Sequence, residues 1–211
     1  MLSVSTTVFI THCFKKARRT LERALLALGL WLLSGLALAG VAEIEQLRVE
    51  RQDGALLLQA SLKLELGPAV EDALLKGVPV NFVAEAELLR DRWYWYDQKL
   101  AQVNRHYRLV YQPLTRQWRL QVASEPIAAG VVGSSLAQTF ESLQGALEAV
   151  RRQVGWKLLD AAELEPDARQ YLNYRFRLDI SQLPRPFQIA AGNQSDWALS
   201  VSRTLRLQPE R

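Results

Sequence analysis

Covalent, acid–base and metal chemistry all depend on groups that can hold a proton, a metal or an electron pair near neutral pH, and this chain has few of them. It carries one cysteine, Cys13, and two histidines, His12 and His106. Only His106 lies beyond the N-terminal region, so cysteine–histidine zinc sites cannot be assembled in the rest of the chain. A Ser-His-Asp hydrolase would have to use His106. That residue falls in the middle of a strand pattern beside Arg105 and Arg108, and no G-x-S-x-G turn accompanies it. Ser134 and Ser135 follow Gly133 at the start of a helical pattern, where capping accounts for their hydroxyls. Glycosidases need only two carboxylates, opposed across a cleft at about 5–9.5 Å. The nearest pair, Glu85 and Glu87, stands on one face of one strand, so cross-strand pairing with Arg105 or Arg108 is the simpler account. Asp91, Asp97 and Asp179 fall where strands end. There is no glycine-rich or Walker-type phosphate loop. The expectation is no catalytic residue, no metal and no cofactor.

Recognition by ring surfaces is better provided for. The segment Arg90-Asp91-Arg92-Trp93-Tyr94-Trp95-Tyr96-Asp97 places four aromatic rings between charges. As a strand it would bury one face and offer the other to a partner, with Arg92, Trp93, Tyr94, Trp95 and Tyr96 as anchors. A second candidate is Leu183-Pro184-Arg185-Pro186-Phe187, where two prolines fix an extended backbone that could present Arg185 and Phe187. Ordinary core packing competes for the aromatic segment, and a rigid strand crossover competes for the proline segment.

Composition places these surfaces in a setting. The 211 residues are 49% hydrophobic and 23% charged, as expected for one globular domain with an added segment. The net charge of +4 comes from Lys15, Lys16, Arg18, Arg19 and Arg23, less Glu22, all of which precede an apolar run from Ala24 to Ala39. Without that region the basic and acidic residues balance. No basic stripe is left for nucleic acid. Basic, apolar, then small is the order of an export leader, and Ala37-Leu38-Ala39 predicts cleavage before Gly40. The run would be about 24 Å long as a helix, short of the roughly 20 residues that span a bilayer comfortably. Residues 1–39 therefore read as a signal peptide, with an uncleaved anchor as the alternative, and 40–211 as a single domain. The membrane would be touched only through an uncleaved leader.

The elements that position the rings follow from periodicity. Leu172, Tyr174, Phe176, Leu178 and Ile180 alternate with Asn173, Arg175, Arg177 and Asp179, which describes a strand wet on one face. Leu56 to Leu66 alternate likewise, and Asp53-Gly54 before them predicts a hairpin over 43–66. Further strands are expected around Phe82–Leu88, continuing to Tyr96, and at Tyr107–Tyr111, Trp118–Val122 and Trp197–Leu207. Two helices interrupt them. Pro68–Lys76 has proline in its first turn and ends at Gly77. The other sets Leu136, Phe140, Leu143, Leu147, Val150 and Val154 on one stripe, with a Ser135/Gln138 capping box and Gly155 as its stop. The fold expected is mainly β: an antiparallel, immunoglobulin-like β-sandwich of about seven strands with two packed α-helices, behind an N-terminal signal helix.

Five stretches then carry a resemblance: PAVEDALLKGVPVNFVAEAEL (68–88), RDRWYWYD (90–97), YRLVYQPLTRQWR (107–119), RFRLDISQLPRPFQ (175–188) and DWALS (196–200). In content and order the chain resembles an uncharacterised exported family of proteobacteria, the domain of unknown function four-three-nine-zero. The resemblance implies export and supplies no catalytic residue. It also implies a setting, because that family's genes often lie beside a membrane sensor kinase of the nitrogen-regulation type. The expectation is a non-enzymatic binding or interaction module in the periplasm or at the periplasmic face of the inner membrane. Its partner would be an envelope protein such as the sensory part of that kinase. The alternatives are a carboxylate-dependent enzyme acting on envelope glycans, which requires an acidic cleft, and a purely structural envelope component.

Overall fold

A computed structural model describes residues 41–92, 96–127, 136–163, 169–192 and 194–207. The leader, Trp93, Tyr94, Trp95, Ser134 and Ser135 lie outside them. The strands are β1 (Val41–Gln52), β2 (Ala55–Glu65), β3 (Val80–Arg90), β4 (Gln98–Gln112), β5 (Gln117–Ala123), β6 (Leu136–Phe140), β7 (Arg152–Asp160), β8 (Gln170–Asp179) and β9 (Ser200–Leu207). The helices are α1 (Pro68–Leu75), α2 (Leu143–Arg151) and α3 (Arg185–Ala191). Every pairing is antiparallel, in a three-stranded sheet ordered β1-β2-β7 and a six-stranded sheet ordered β6-β5-β4-β3-β8-β9.

The alternations in the sequence become the facing surfaces of the two sheets. Leu56, Leu58, Ala60, Leu62 and Leu64 of β2 are buried opposite Phe82, Ala84, Ala86 and Leu88 of β3 and Leu172, Tyr174, Phe176 and Leu178 of β8. Phe82 and Phe176 stack with ring centroids 5.7 Å apart, and Trp156 of β7 meets Tyr174 edge-on at 6.4 Å. A bulge between Ile44 and Gln46 lets β1 send both Ile44 and Leu47 inward although they are three residues apart. Asp53 and Gly54 both have positive φ, 51° and 73°, as the tight turn of a two-residue hairpin requires.

Three expectations need correction. The long helix over Leu136–Val154 is α2 alone, flanked by strands β6 and β7. Residues Leu136–Phe140 pair with β5, and tertiary pairing overrides their helical spacing. The cap is Ser142, whose hydroxyl accepts from Gly145 N at 3.1 Å, and not the expected Ser135/Gln138 box, since Gln138 is in β6. Gly155, read as the helix stop, sits within β7 with φ 65°. The proline segment is not extended throughout. Pro184 caps α3 and Pro186 occupies its first turn, the one stretch of a helix where a missing N–H costs nothing. Strand β3 ends at Arg90, so the expected continuation to Tyr96 is a loop at least at Asp91, Arg92, Tyr96 and Asp97.

One buried polar pair ties β7 to β8. Tyr174 Oη donates to Gln153 Oε1 at 2.9 Å, and burial raises the phenol's pKa. Replacing Tyr174 with Phe leaves that amide oxygen dry and unbonded, at an expected cost of about 1–3 kcal/mol in urea unfolding. The double variant Tyr174→Phe/Gln153→Leu is expected to recover part of the loss.

Candidate functional site

The two predicted interaction surfaces occupy opposite ends of the sandwich. In the register of β3 with β8, Arg90 lies opposite Gln170 at one end and Asn81 opposite Asp179 at the other. The 11 residues of β3 separate these ends by roughly 35 Å. The described residues of the aromatic segment beyond β3, Asp91, Arg92, Tyr96 and Asp97, lie in the β3–β4 connection, at the first end. The proline segment follows Asp179, at the second. No single small contact patch can include both.

At the hairpin tip, Asp97 organises the loop. Its carboxylate accepts from Arg92 N at 3.4 Å and from the Tyr171 hydroxyl of β8, which this hydrogen bond pushes up to about 12 in pKa. The Arg92 guanidinium donates to Gln98, and Asp91 N donates to Arg169 O at 2.9 Å. Tyr96 stands beside this brace with 92% of its surface in water. At the other end Pro184, Arg185 and Pro186 are exposed, while Phe187 turns inward and packs on the core.

The carboxylates expected to pair do so, with different cations. Glu85 meets Arg177 at 3.1 Å and Glu87 meets Lys99 at 2.8 Å. Arg105 is opposite Ala84, one residue out of phase with the glutamates, so it points into the sandwich and lies 5.1 Å from the Trp156 ring. Arg108 shares the outer face but donates to Ile127 O at 3.2 Å.

That outer face holds a polar cluster that motif reading missed. Among the described residues, Asn81 Nδ2, Asn104 Oδ1 and His106 Nδ1 are buried atoms without a hydrogen-bond partner. Asn81 is opposite Arg108 and Asp179, Asn104 is opposite Glu85, and His106 is opposite Val83. The available signal was Asn81 itself, a polar residue between Val80 and Phe82. Burial lowers the pKa of His106, against the opposing pull of Asp179 and Glu85 and with the repulsion of Arg177. Elsewhere, a cleft of about 310 Å³ is lined by Glu45, Lys63, Glu65, Glu148, Arg151 and Arg152. Its carboxylates are engaged: Glu65 by Lys63 at 3.6 Å, Glu148 by Arg151 at 3.6 Å, and Glu45 by Ser61 at 3.3 Å. The described residues contain no metal-binding group of His, Cys, Asp and Glu.

A lowered histidine pKa makes the fold sensitive to acid. Below the ordinary value of 6.5 the unfolded chain takes up the His106 proton first, so stability present above that pH declines as pH falls towards the folded value. Unfolding free energies measured from pH 7.5 to 5.5 are expected to fall, and His106→Gln is expected to flatten the slope.

The model of a family described as Domain of unknown function (DUF4390) matches residues 39–206. No curated protein and no solved structure matches the chain.

Proposed function

The chain belongs to the DUF4390 family of domains of unknown function, and on that premise we propose that it works in the cell envelope as a non-enzymatic protein-interaction module. The leader delivers it to the periplasm. The hairpin tip between β3 and β4 is its contact surface, and the sensory part of a membrane sensor kinase is its partner.

The observation that carries this reading is the exposure of Tyr96 on a loop fixed by Asp97. A large ring in water gains nothing for folding, and a loop backbone already fixed beside it by Asp97 loses little conformational freedom on binding. Tyrosine and arginine are also the side chains that anchor protein contacts most often. Tyr96 and Arg92 stand together on this loop, with the carboxylate of Asp97 between the backbone N–H of Arg92 and the hydroxyl of Tyr171. Trp93, Tyr94 and Trp95 complete the segment in sequence.

A photo-crosslinking amino acid at position 96, in the full chain within native envelopes, is expected to give one dominant adduct with a membrane sensor kinase. The same probe at Arg203, an exposed residue of β9, serves as the control. Tyr171→Phe removes the brace and is expected to lower the adduct several-fold without unfolding the domain. An adduct pattern at 96 no different from that at 203 would overturn the proposal.

A further inference from the structure

A strand at the edge of a sheet keeps one row of backbone N–H and C=O groups without a neighbour, and proteins ordinarily obstruct that row with charge, proline, a bulge or a covering element. Three of the four sheet edges among the described residues are obstructed. Strand β1 is bulged between Ile44 and Gln46, carries Glu43, Glu45, Arg48, Glu50 and Arg51, and lies beside β9. Strand β9 carries Arg203 and Arg206. The pairing of β7 with β2 is broken by register shifts, and β7 holds Gly155 at φ 65° together with Arg152 and Lys157. Strand β6, Leu136-Ala137-Gln138-Thr139-Phe140, has none of these devices: no charge, no proline and an unshifted register with β5.

One edge of β6 pairs with β5, and among the described residues no strand pairs with the other. Leu136, Ala137, Gln138 and Thr139 are exposed, Leu136 at 74%. Such an edge specifies the form of its occupant, because only an extended backbone matches the spacing of its free groups. Its sequence specifies more. Antiparallel pairing of β6 with β6 of a second copy, centred on Gln138, sets Leu136 opposite Phe140, Ala137 opposite Thr139 and Gln138 opposite itself. Leu136, Gln138 and Phe140 share the side of Val122, Leu120 and Trp118, so Leu136 and the second copy's Phe140 meet on the apolar inner side of the sheet. Phe140 already packs on the core there. No charge stands at any of these pairs, so nothing in the strand opposes the match.

We infer that β6 is a self-pairing edge: two copies of the chain join their six-stranded sheets into one continuous antiparallel sheet through Leu136–Phe140. The contact is isologous and uses up the free edge of each copy. At the far side of each sheet β9 lies beside β1 and carries its arginines, so the assembly closes at two. Five paired residues a side bury less than the roughly 1,200 Å² of a stable complex, so the dimer exchanges and has to be trapped to be counted. The inference stands apart from the partner proposed at Tyr96.

The test uses the full chain with Cys13→Ser, purified in mild detergent and oxidised with copper phenanthroline. Gln138→Cys is expected to give a disulfide-linked dimer several-fold faster than Ser202→Cys on exposed β9, since directly opposed Cα atoms stand about 4.5–5.5 Å apart, within a disulfide's reach. In mixtures of differently tagged chains, Ala137→Cys is expected to link to Thr139→Cys several-fold more than to itself, which fixes the register. Adding Ala137→Lys and Thr139→Lys to the Gln138→Cys chain sets lysine against lysine and is expected to suppress the dimer several-fold. Mixing that chain with one carrying Ala137→Glu, Thr139→Glu and Gln138→Cys is expected to restore it as a heterodimer. Equal linking at 138 and 202 overturns the inference, and so do indifference to the lysines and a loss that the mixture does not reverse. Gln138→Cys in native envelopes giving adducts of other masses and no dimer would show a different protein's strand on this edge, and would also overturn it. Thermal unfolding of each variant confirms that these exposed substitutions leave the fold intact. Failure here leaves the crosslink at position 96 unaffected, so the two readings fail separately.

Discussion

The architecture follows from a mismatch in width. Six strands about 4.8 Å apart present an inner face some 24 Å across, whereas three strands present only about 10 Å. With β1 beside β9 and β7 beside β4, the small sheet leaves β5 and β6 uncovered. Exposed apolar faces there would defeat the sandwich. Helix α2 closes the gap, packing against β5 and β6 on one side and β2 and β7 on the other. A helix and a sheet layer have similar thickness, near 10 Å, so α2 extends the thin layer without forcing the sheets apart. Ala146, Leu147 and Val150 are the side chains it buries, and Trp118 and Leu120 are buried on the inner face of β5.

Because every pairing is antiparallel, the connections collect at the two ends of the sandwich. The β1–β2 and β3–β4 hairpins turn at one end. The helical connections α1 and α3 and the β4–β5 turn lie at the other. The buried faces between them are committed to packing, so adaptable surface is concentrated at the ends and on the outer face of β3, β4 and β8. That outer face differs from an ordinary wet sheet surface in holding three buried polar atoms with no partner among the described residues. Buried groups of this kind are costly unless bonded, which gives the cluster around His106 a direct influence on stability.

Much of the fold was legible because period-two alternation leaves little freedom. Leu56–Leu64 and Leu172–Leu178 could bury their leucines only as strands, and Asp53-Gly54 specified the turn. The family resemblance was legible in five stretches between residues 68 and 200, and the match over residues 39–206 bears it out. Strand β7 was missed because its buried residues, Gln153, Trp156, Leu158 and Leu159, follow a register broken by bulges and not a clean alternation. Helix α3 was misread because proline forbids a helix interior yet suits its first turn. Arg105 was placed on the wrong face by a single residue of phase, which on a strand inverts every side chain. The separation of the two candidate surfaces was not legible at all. It depends on strand order across the sheet, which no local pattern encodes.

Native-state amide exchange tests the role of α2 most directly. If the helix completes the sandwich layer, the amides of Leu147 and Val150 open only with the whole domain, at the same free energy as those of Phe82 and Phe176. Exchange of the α2 amides orders of magnitude faster, while β3 and β8 stay protected, would show that the two sheets hold together without it and would contradict the account.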